Sequence, residues 1–231
     1  MISKSNAKAT KFTDESELVR NVATRLVSGE VIGWFQGRME FGPRALGNRS
    51  ILGDPRSSNM QERINSTIKK RESFRPFAPA VIEESAGKYF EVQVPSPYML
   101  FVVPIATAVR SSVPEDFNHL SWKDRLNYRR SSLQAVTHVD FSARVQTVSR
   151  STNQRFHQLL SEFEKQTGFP VLINTSFNVR GEPIVCTPIE AHNCFMRSEM
   201  DTLVIGDYVF EKNMQPEVQR KNALKLEYQA D

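Results

Sequence analysis

Cysteine is scarce in this sequence, with Cys186 and Cys194 the only two among 231 residues. Neither has partners at metal-ligand spacing, so a disulfide scaffold is ruled out and two free, partly buried thiols are expected. Long apolar runs are missing too. The longest, Tyr98 to Ala106 and Pro170 to Ile173, fall far short of a membrane span, and Met1 to Thr10 holds no signal-peptide core. The chain is therefore expected to be soluble and cytoplasmic, with no membrane partner.

Several motifs are absent as well. No G-x-x-x-x-G-K-[ST], G-x-G-x-x-G or G-x-S-x-G occurs, which removes the usual support for P-loop, dinucleotide and esterase chemistry. His119, His138, His157 and His192 are scattered, with no H-E-x-x-H or C-x-x-C, so no metal site is expected from this chain's own residues. Cys186 with His192 makes a formal nucleophile and base, but the sequence does not join them.

What is present is a foldable composition with localised charge. Hydrophobic residues are 39% and aromatics 10%, which is globular rather than disordered. The net charge of +4 is uneven. Arg38 to Arg75 carries nine Lys/Arg against four Asp/Glu, a net of +5 that leaves −1 for the rest. One segment thus holds the positive charge, and it points to an anionic partner.

The pattern along the chain predicts a single α/β domain over 1–231 with a mixed sheet, and no repeat or linker divides it. Asp14 and Glu17 open a helix of about 14–28 with Leu18, Val22 and Leu26 on one face. "VIGWFQG" reads as a buried strand, and Gly42-Pro43 as a turn with Pro43 starting a short helix. A second helix is expected at about 58–70. Pro76 and Pro79 force an extended Phe74 to Ile82 and interrupt a central ladder. Tyr98 to Ala106 and Leu133 to Asp140 read as strands, with 110–132 as loop or helix. Phe156, Leu159, Leu160 and Phe163 form the face of a helix ended by Gly168, and "PVLI" follows as a buried strand. Thr187 caps a helix with Pro188 and Glu190, Asp201 to Phe210 is a last strand, and 211–231 is a surface tail.

Four stretches carry the chemistry. "GRMEFGPRALGNRS" offers Arg38, Arg44 and Arg49 among glycines, and "KKRESFRPFAP" adds Lys69, Lys70, Arg71 and Arg75. Guanidinium forks match phosphate oxygens bidentately, so two dense clusters beside strands point to an anion site. "THVDFSARVQTV" sets His138, Asp140, Arg144 and Gln146 at alternating positions, hence on one face if extended. "NTSFN" puts Asn174, Thr175, Ser176 and Asn178 at the carboxyl end of a buried strand, where open α/β sheets bind ligands.

Together and in this order, "GRMEFGPRALGNRSIL", "KKRESFRPFAP", "THVDFSARVQ" and "PVLINTSFNVRGEPIV" resemble the C-terminal, YrdC-like domain of the O-carbamoyltransferase family, which includes antibiotic-tailoring and nodulation-factor enzymes. The resemblance spans about Gly33 to Asp207. It implies a YrdC-like fold that binds carbamoyl phosphate and ATP, with Mg2+ accompanying the ATP, and forms carbamoyladenylate with release of pyrophosphate. A metal-containing Kae1-like unit would then pass the carbamoyl group to an acceptor hydroxyl. The resemblance puts the catalytic contacts on Arg44, Lys69, Arg75 and Arg144. Binding contacts fall on Asn174 and Ser176, with Arg38, Arg49, Lys70, Arg71, Thr137, His138, Asp140, Thr175 and Asn178 around them. About thirty residues precede the matching region, so the chain is expected to be half of a split enzyme with a separate Kae1-like subunit, a fragment of a longer enzyme, or a domain put to another use. A non-catalytic nucleotide- or RNA-binding module is the alternative, and threonylcarbamoyladenylate formation a third reading. Phe41, Phe74 and Phe77 sit among prolines and apolar residues, as packing groups rather than base-stacking platforms.

Overall fold

The computed structural model describes residues 7–216. Its frame is an eight-stranded mixed sheet in the order β1-β10-β9-β2-β3-β8-β4-β7. The strands are β1 (Thr10–Lys11), β2 (Ile32–Phe35), β3 (Arg49–Gly53), β4 (Ala78–Ile82), β7 (Gln146–Val148), β8 (Val171–Ser176), β9 (Thr202–Ile205) and β10 (Tyr208–Glu211). β5 (Val102–Pro104) and β6 (Ser142–Arg144) form a separate antiparallel ribbon. β3 lies antiparallel between β2 and β8, and β8 runs antiparallel to β4.

Alternation along the central strands divides the core between two faces of the sheet. Ile32, Trp34, Leu52, Ala80, Leu172 and Val204 face α1 (Glu15–Val27) and a second long helix, Gln154–Thr167. Val31, Phe35, Ile51, Val81, Ile173 and Leu203 face the opposite layer, which includes the helix Pro188–Arg197. Both faces of β2, β3 and β4 are buried; β2 and β4 accordingly read as continuous apolar runs, while β3 opens with the buried Arg49 and Ser50 before Ile51 and Leu52.

The long helices start and stop where local chemistry dictates. Asp14 Oδ1 accepts from the Ser16 and Glu17 backbone N–H groups, and Thr187 with Glu190 forms a reciprocal capping box. Gly168 ends Gln154–Thr167 in the left-handed region at φ 81°.

Elsewhere the structure departs from the sequence expectations. No helix starts at Pro43, because residues 43–46 follow an irregular path held by side chains. The second helix is short. It runs as α-helix only over Met60–Arg63 and continues as a π-helical turn, Ile64–Ile68. Pro79 sits inside an internal strand, which tolerates it because the parallel pairing with β7 begins only at Ala80. Tyr98 to Ala106 contributes the three-residue β5, exposed at both ends, and an isolated bridge from Ile105 to Phe90. Leu133 to Asp140 is not a strand but a 3-10 turn and loop. Arg130, 1% exposed, gathers it by donating to the carbonyls of Arg125, Leu126, Tyr128 and Thr137. The expected last strand is the hairpin β9–β10. The expected tail begins inside β10 at Glu211, and Lys212 and Gln215 are buried; the rest of that tail, 217–231, lies outside the described residues. No helix among the described residues is long and apolar enough to cross a membrane.

Candidate functional site

A cleft of ≈ 350 Å³ opens where the carboxyl end of β8 meets the start of β4. Four guanidinium-bearing residues line it: Arg44, Arg71, Arg75 and Arg144. Asn174, Thr175 and Ser176 form its floor, and no carboxylate is among the lining residues. Burial lowers the pKa of Arg144, and the nearby Arg44 charge adds to the effect. An arginine keeps its charge even so, which leaves like charges close together over a lining without a carboxylate; Glu72, outside the lining, lies 4.0 Å from Arg75 with both side chains more than half exposed.

Two loops deliver the arginines, and each has an internal pin. The loop around Arg44 is folded about Glu40, whose Oε1 accepts from the backbone N–H groups of Leu46 at 2.9 Å and Asn48 at 2.6 Å. Its Oε2 accepts from the Arg49 N–H at 3.1 Å. Burial raises the Glu40 pKa, opposed by these three N–H groups and by Arg49. Gln146 Nε2 donates to the Leu46 carbonyl at 2.8 Å, and Asn174 Nδ2 donates to the Ala45 carbonyl at 3.1 Å. Gly47 lies against the helix Gln154–Thr167, where a Cβ would come 2.3 Å from the Phe156 ring. With φ at 107°, this position admits only glycine.

The second loop hangs from Asn65, which is wholly buried on the π-helical turn. Its side chain accepts from Arg71 Nε and donates to the Ser73 and Arg75 carbonyls. Arg71 also lies over the Phe77 ring at 5.1 Å. Below the floor, Lys69 Nζ donates to the carbonyls and side-chain oxygens of Ser176 and Asn178. Burial pushes its pKa down to about 7, and the Arg71 charge contributes.

The residues singled out in the sequence therefore divide. Arg44, Arg71, Arg75, Arg144, His138, Asn174, Thr175 and Ser176 all line the cleft. Lys69 and Asn178 do not, because they form the clamp beneath it. Arg49 faces away: it is 4% exposed, lies 3.6 Å over the Phe35 ring and donates to the carbonyls of Gln36, Gly37 and Asn48. Arg38 and Lys70 are exposed outside the lining, with their carbonyls accepting from Asn48 and Arg180. His138 and Asp140 do not share a strand face with Arg144, since the chain turns at Phe141 with φ 62° before β6 begins.

Thr137 and Asp140 belong instead to a second cavity of ≈ 740 Å³, which shares Pro76 and His138 with the first. Its other walls include Phe74, Trp122, Leu126 and Val139. The Thr137 hydroxyl bonds Ser131 and Leu133, and Asp140 accepts from Ser142, which lowers its pKa. Burial lowers the pKa of His138. Cys186 is exposed, while His192 packs edge-on against Phe210, so the formal nucleophile pair has no geometry to support it.

Sequence reasoning missed Glu40 and Asn65, the two pins. Glu40 is a lone acid in a basic stretch and Asn65 a polar residue within an apolar helical stripe. Both signals are visible, but only the loops they hold give them meaning. Among the described residues no group of three or more His, Cys, Asp or Glu converges as metal ligands would.

The chain is 53% identical over 220 residues to uncharacterized protein sll1178 of Synechocystis, covering 95% of this chain and 36% of that protein. It is 46% identical to nodulation protein NolNO of Sinorhizobium fredii, covering 92% and 29%. Identity is 44% to 3'-hydroxymethylcephem-O-carbamoyltransferase of Amycolatopsis lactamdurans, covering 81% and 32%. The chain thus spans about a third of the length of these relatives. Among solved structures, P. abyssi Sua5 H234A/Y235A overlays with a TM-score of 0.45 at 13% identity, covering 74% of this chain and 41% of that one. With residues 23–212 matching the family described as carbamoyltransferase C-terminus, the chain belongs to that carbamoyltransferase family.

Proposed function

We propose that this chain binds carbamoyl phosphate and ATP in the arginine-lined cleft and forms carbamoyladenylate for transfer to an acceptor hydroxyl by a Kae1-like unit. The observation that carries the reading is the convergence of Arg44, Arg71, Arg75 and Arg144, without a carboxylate, on the carboxyl end of β8. Carbamoyl phosphate and a triphosphate repel each other strongly, and only fixed cations hold them within reaction distance. The largely apolar second cavity next to the cleft, lined by Phe74, Trp122, Leu126 and Val139, suits the flat ring of a nucleotide, with Phe74, expected from the sequence to be a packing group, half-exposed on its wall.

In this reaction an oxygen on the carbamoyl carbon bonds to the α-phosphorus of ATP as the bond to pyrophosphate breaks. Atom balance then requires water to release the phosphate of carbamoyl phosphate, so each carbamoyladenylate accompanies one phosphate and one pyrophosphate. The residues of this chain bind, orient and neutralise. Magnesium would be held by the nucleotide's own phosphates, and no step is assigned to it.

The test is pyrophosphate release by the purified chain with carbamoyl phosphate, ATP and Mg2+, together with detection of carbamoyladenylate by mass spectrometry. Arg44→Ala and Arg144→Ala should each reduce release by roughly 100-fold or more. Binding of both ligands without release would assign turnover to the complex with the Kae1-like unit. Absence of binding by calorimetry would overturn the reading.

A further inference from the structure

Phe41 is fully exposed, although its neighbours in the sequence mark it as a packing group. It heads a strap, residues 41–44, in which every residue is exposed and none makes a hydrogen bond among the described residues. Both ends of the strap are fixed. Before it, the Glu40 carboxylate accepts from the backbone N–H groups of Leu46, Asn48 and Arg49. After it, Ala45 is buried and its carbonyl accepts from Asn174 Nδ2 at 3.1 Å. Between these anchors Gly42 sits at φ 102° with no atom within 4 Å of the place a Cβ would take. The strap is tethered at two points and free between them.

The same strap carries one of the cleft's arginine charges. Pro43, Arg44 and Ala45 line the cleft, while Phe41 and Gly42 lie outside the lining. The Arg44 charge acts on Arg144, so like charges repel across the lining. An anion between them reverses that force and draws both guanidinium groups inward. Arg144 stands on β6, so Arg44 is the one mounted on a segment that can follow. Exposed apolar surface borders the same opening: Leu100, Phe101 and Val102 are 71%, 49% and 58% exposed, and Val102 lines the cleft. An exposed phenylalanine and an exposed apolar strip beside one anion site lose water-facing area by meeting.

We propose that the strap 41–44 closes over an anion bound in the cleft, swinging Arg44 onto it and burying Phe41 over the mouth against Leu100 to Val102. The inference rests on the anion-binding part of the reading above and adds the step that follows binding. Closure of this kind excludes water from a site. Carbamoyladenylate is a mixed anhydride, which one water molecule cleaves at the carbamoyl carbon to AMP and carbamate. A strap that shuts on the charges of its own ligands therefore protects the intermediate until it is passed on.

The experiment follows the exposure of position 41 in the whole 231-residue chain. Phe41→Trp keeps an aromatic ring on the strap, and Trp122→Phe in the same protein leaves the buried Trp34 as the one other indole. Acrylamide quenching is measured with and without pyrophosphate, at matched ionic strength and at a concentration that calorimetry on the same protein shows to be saturating. Pyrophosphate in the cleft meets the lining residues and not position 41, so a loss of quenching reports movement of the strap. Quenching of the new indole should fall roughly 5-fold or more, as for a strap shut at least about four-fifths of the time. With Arg44→Gln added, quenching under saturating pyrophosphate should stay within about twofold of its value without the ligand, because the charge that draws the strap is gone. Pyrophosphate that binds without changing the quenching would overturn the inference and leave the anion cleft standing, as would a loss of quenching that survives Arg44→Gln. Absence of pyrophosphate binding would overturn the anion cleft and this inference with it.

Discussion

Asn65 Oδ1 accepts from Arg71 Nε at 2.6 Å, while its Nδ2 donates to the Arg75 carbonyl at 2.8 Å and the Ser73 carbonyl at 3.0 Å. One buried amide thus fixes both ends of the segment that brings two guanidinium groups to the cleft. It stands on a π-helical turn, a local widening often found at functional sites. Asn65→Ala leaves the Ser73 carbonyl and the Arg71 guanidinium without this partner and the Arg75 carbonyl with Gln61 Nε2 at 3.2 Å, and should cost about 1–3 kcal/mol in urea denaturation. Affinity for carbamoyl phosphate should fall as well, because Arg71 and Arg75 lose their common anchor. A folded Asn65→Ala that bound carbamoyl phosphate like the wild type would show that the loop holds its shape without the pin.

The parts legible in the sequence were those with local causes. Asp14, Gly168 and Thr187 mark helix ends through groups within one turn of themselves, and the structure places all three at helix ends. Arg44, Arg75, Arg144 and Asn174 were reachable because charge and amide clusters sit directly beside buried strands. What was not legible depended on partners distant in the chain. Arg49 reads like Arg44, five residues earlier, but the pairing of β3 with β2 sets Arg49 over Phe35 and among the carbonyls of 36–37. Leu133 to Asp140 has the apolar character of a strand, and the buried Arg130 winds it into a turn by collecting carbonyls on either side. Nothing within that run announces the arginine's role.

The difference between Arg49 and the cleft arginines is itself testable. Arg49 donates only to backbone carbonyls and stacks on Phe35, so its loss strips buried acceptors of their donor. Arg49→Met should destabilise the fold by about 1–3 kcal/mol. Carbamoyl phosphate affinity should stay within about threefold of wild type, in contrast to roughly 10-fold or greater losses in Arg44→Ala and Arg144→Ala. Calorimetry on the three variants decides the matter. A large affinity loss in folded Arg49→Met would return Arg49 to the binding site.

Lys69 gives the fold a pH dependence of definite sign. Burial sets its folded pKa at about 7, below the ordinary lysine value of 10.5. Between those two values the unfolded chain holds the proton and the folded chain releases it. The group's contribution to stability therefore falls as pH drops from about 10 to about 7, and is constant below that. Lys69→Met has no such titration and also leaves the Ser176 and Asn178 oxygens without their donor. The variant should be less stable at pH 7. The gap between wild type and variant should then widen by up to about 1.4 kcal/mol per pH unit toward pH 9.5. Urea denaturation of both proteins at pH 7, 8 and 9 reads the slope directly. A gap that stayed constant would mean that Lys69 keeps its proton throughout, with its four acceptors outweighing the burial that drives the proton off.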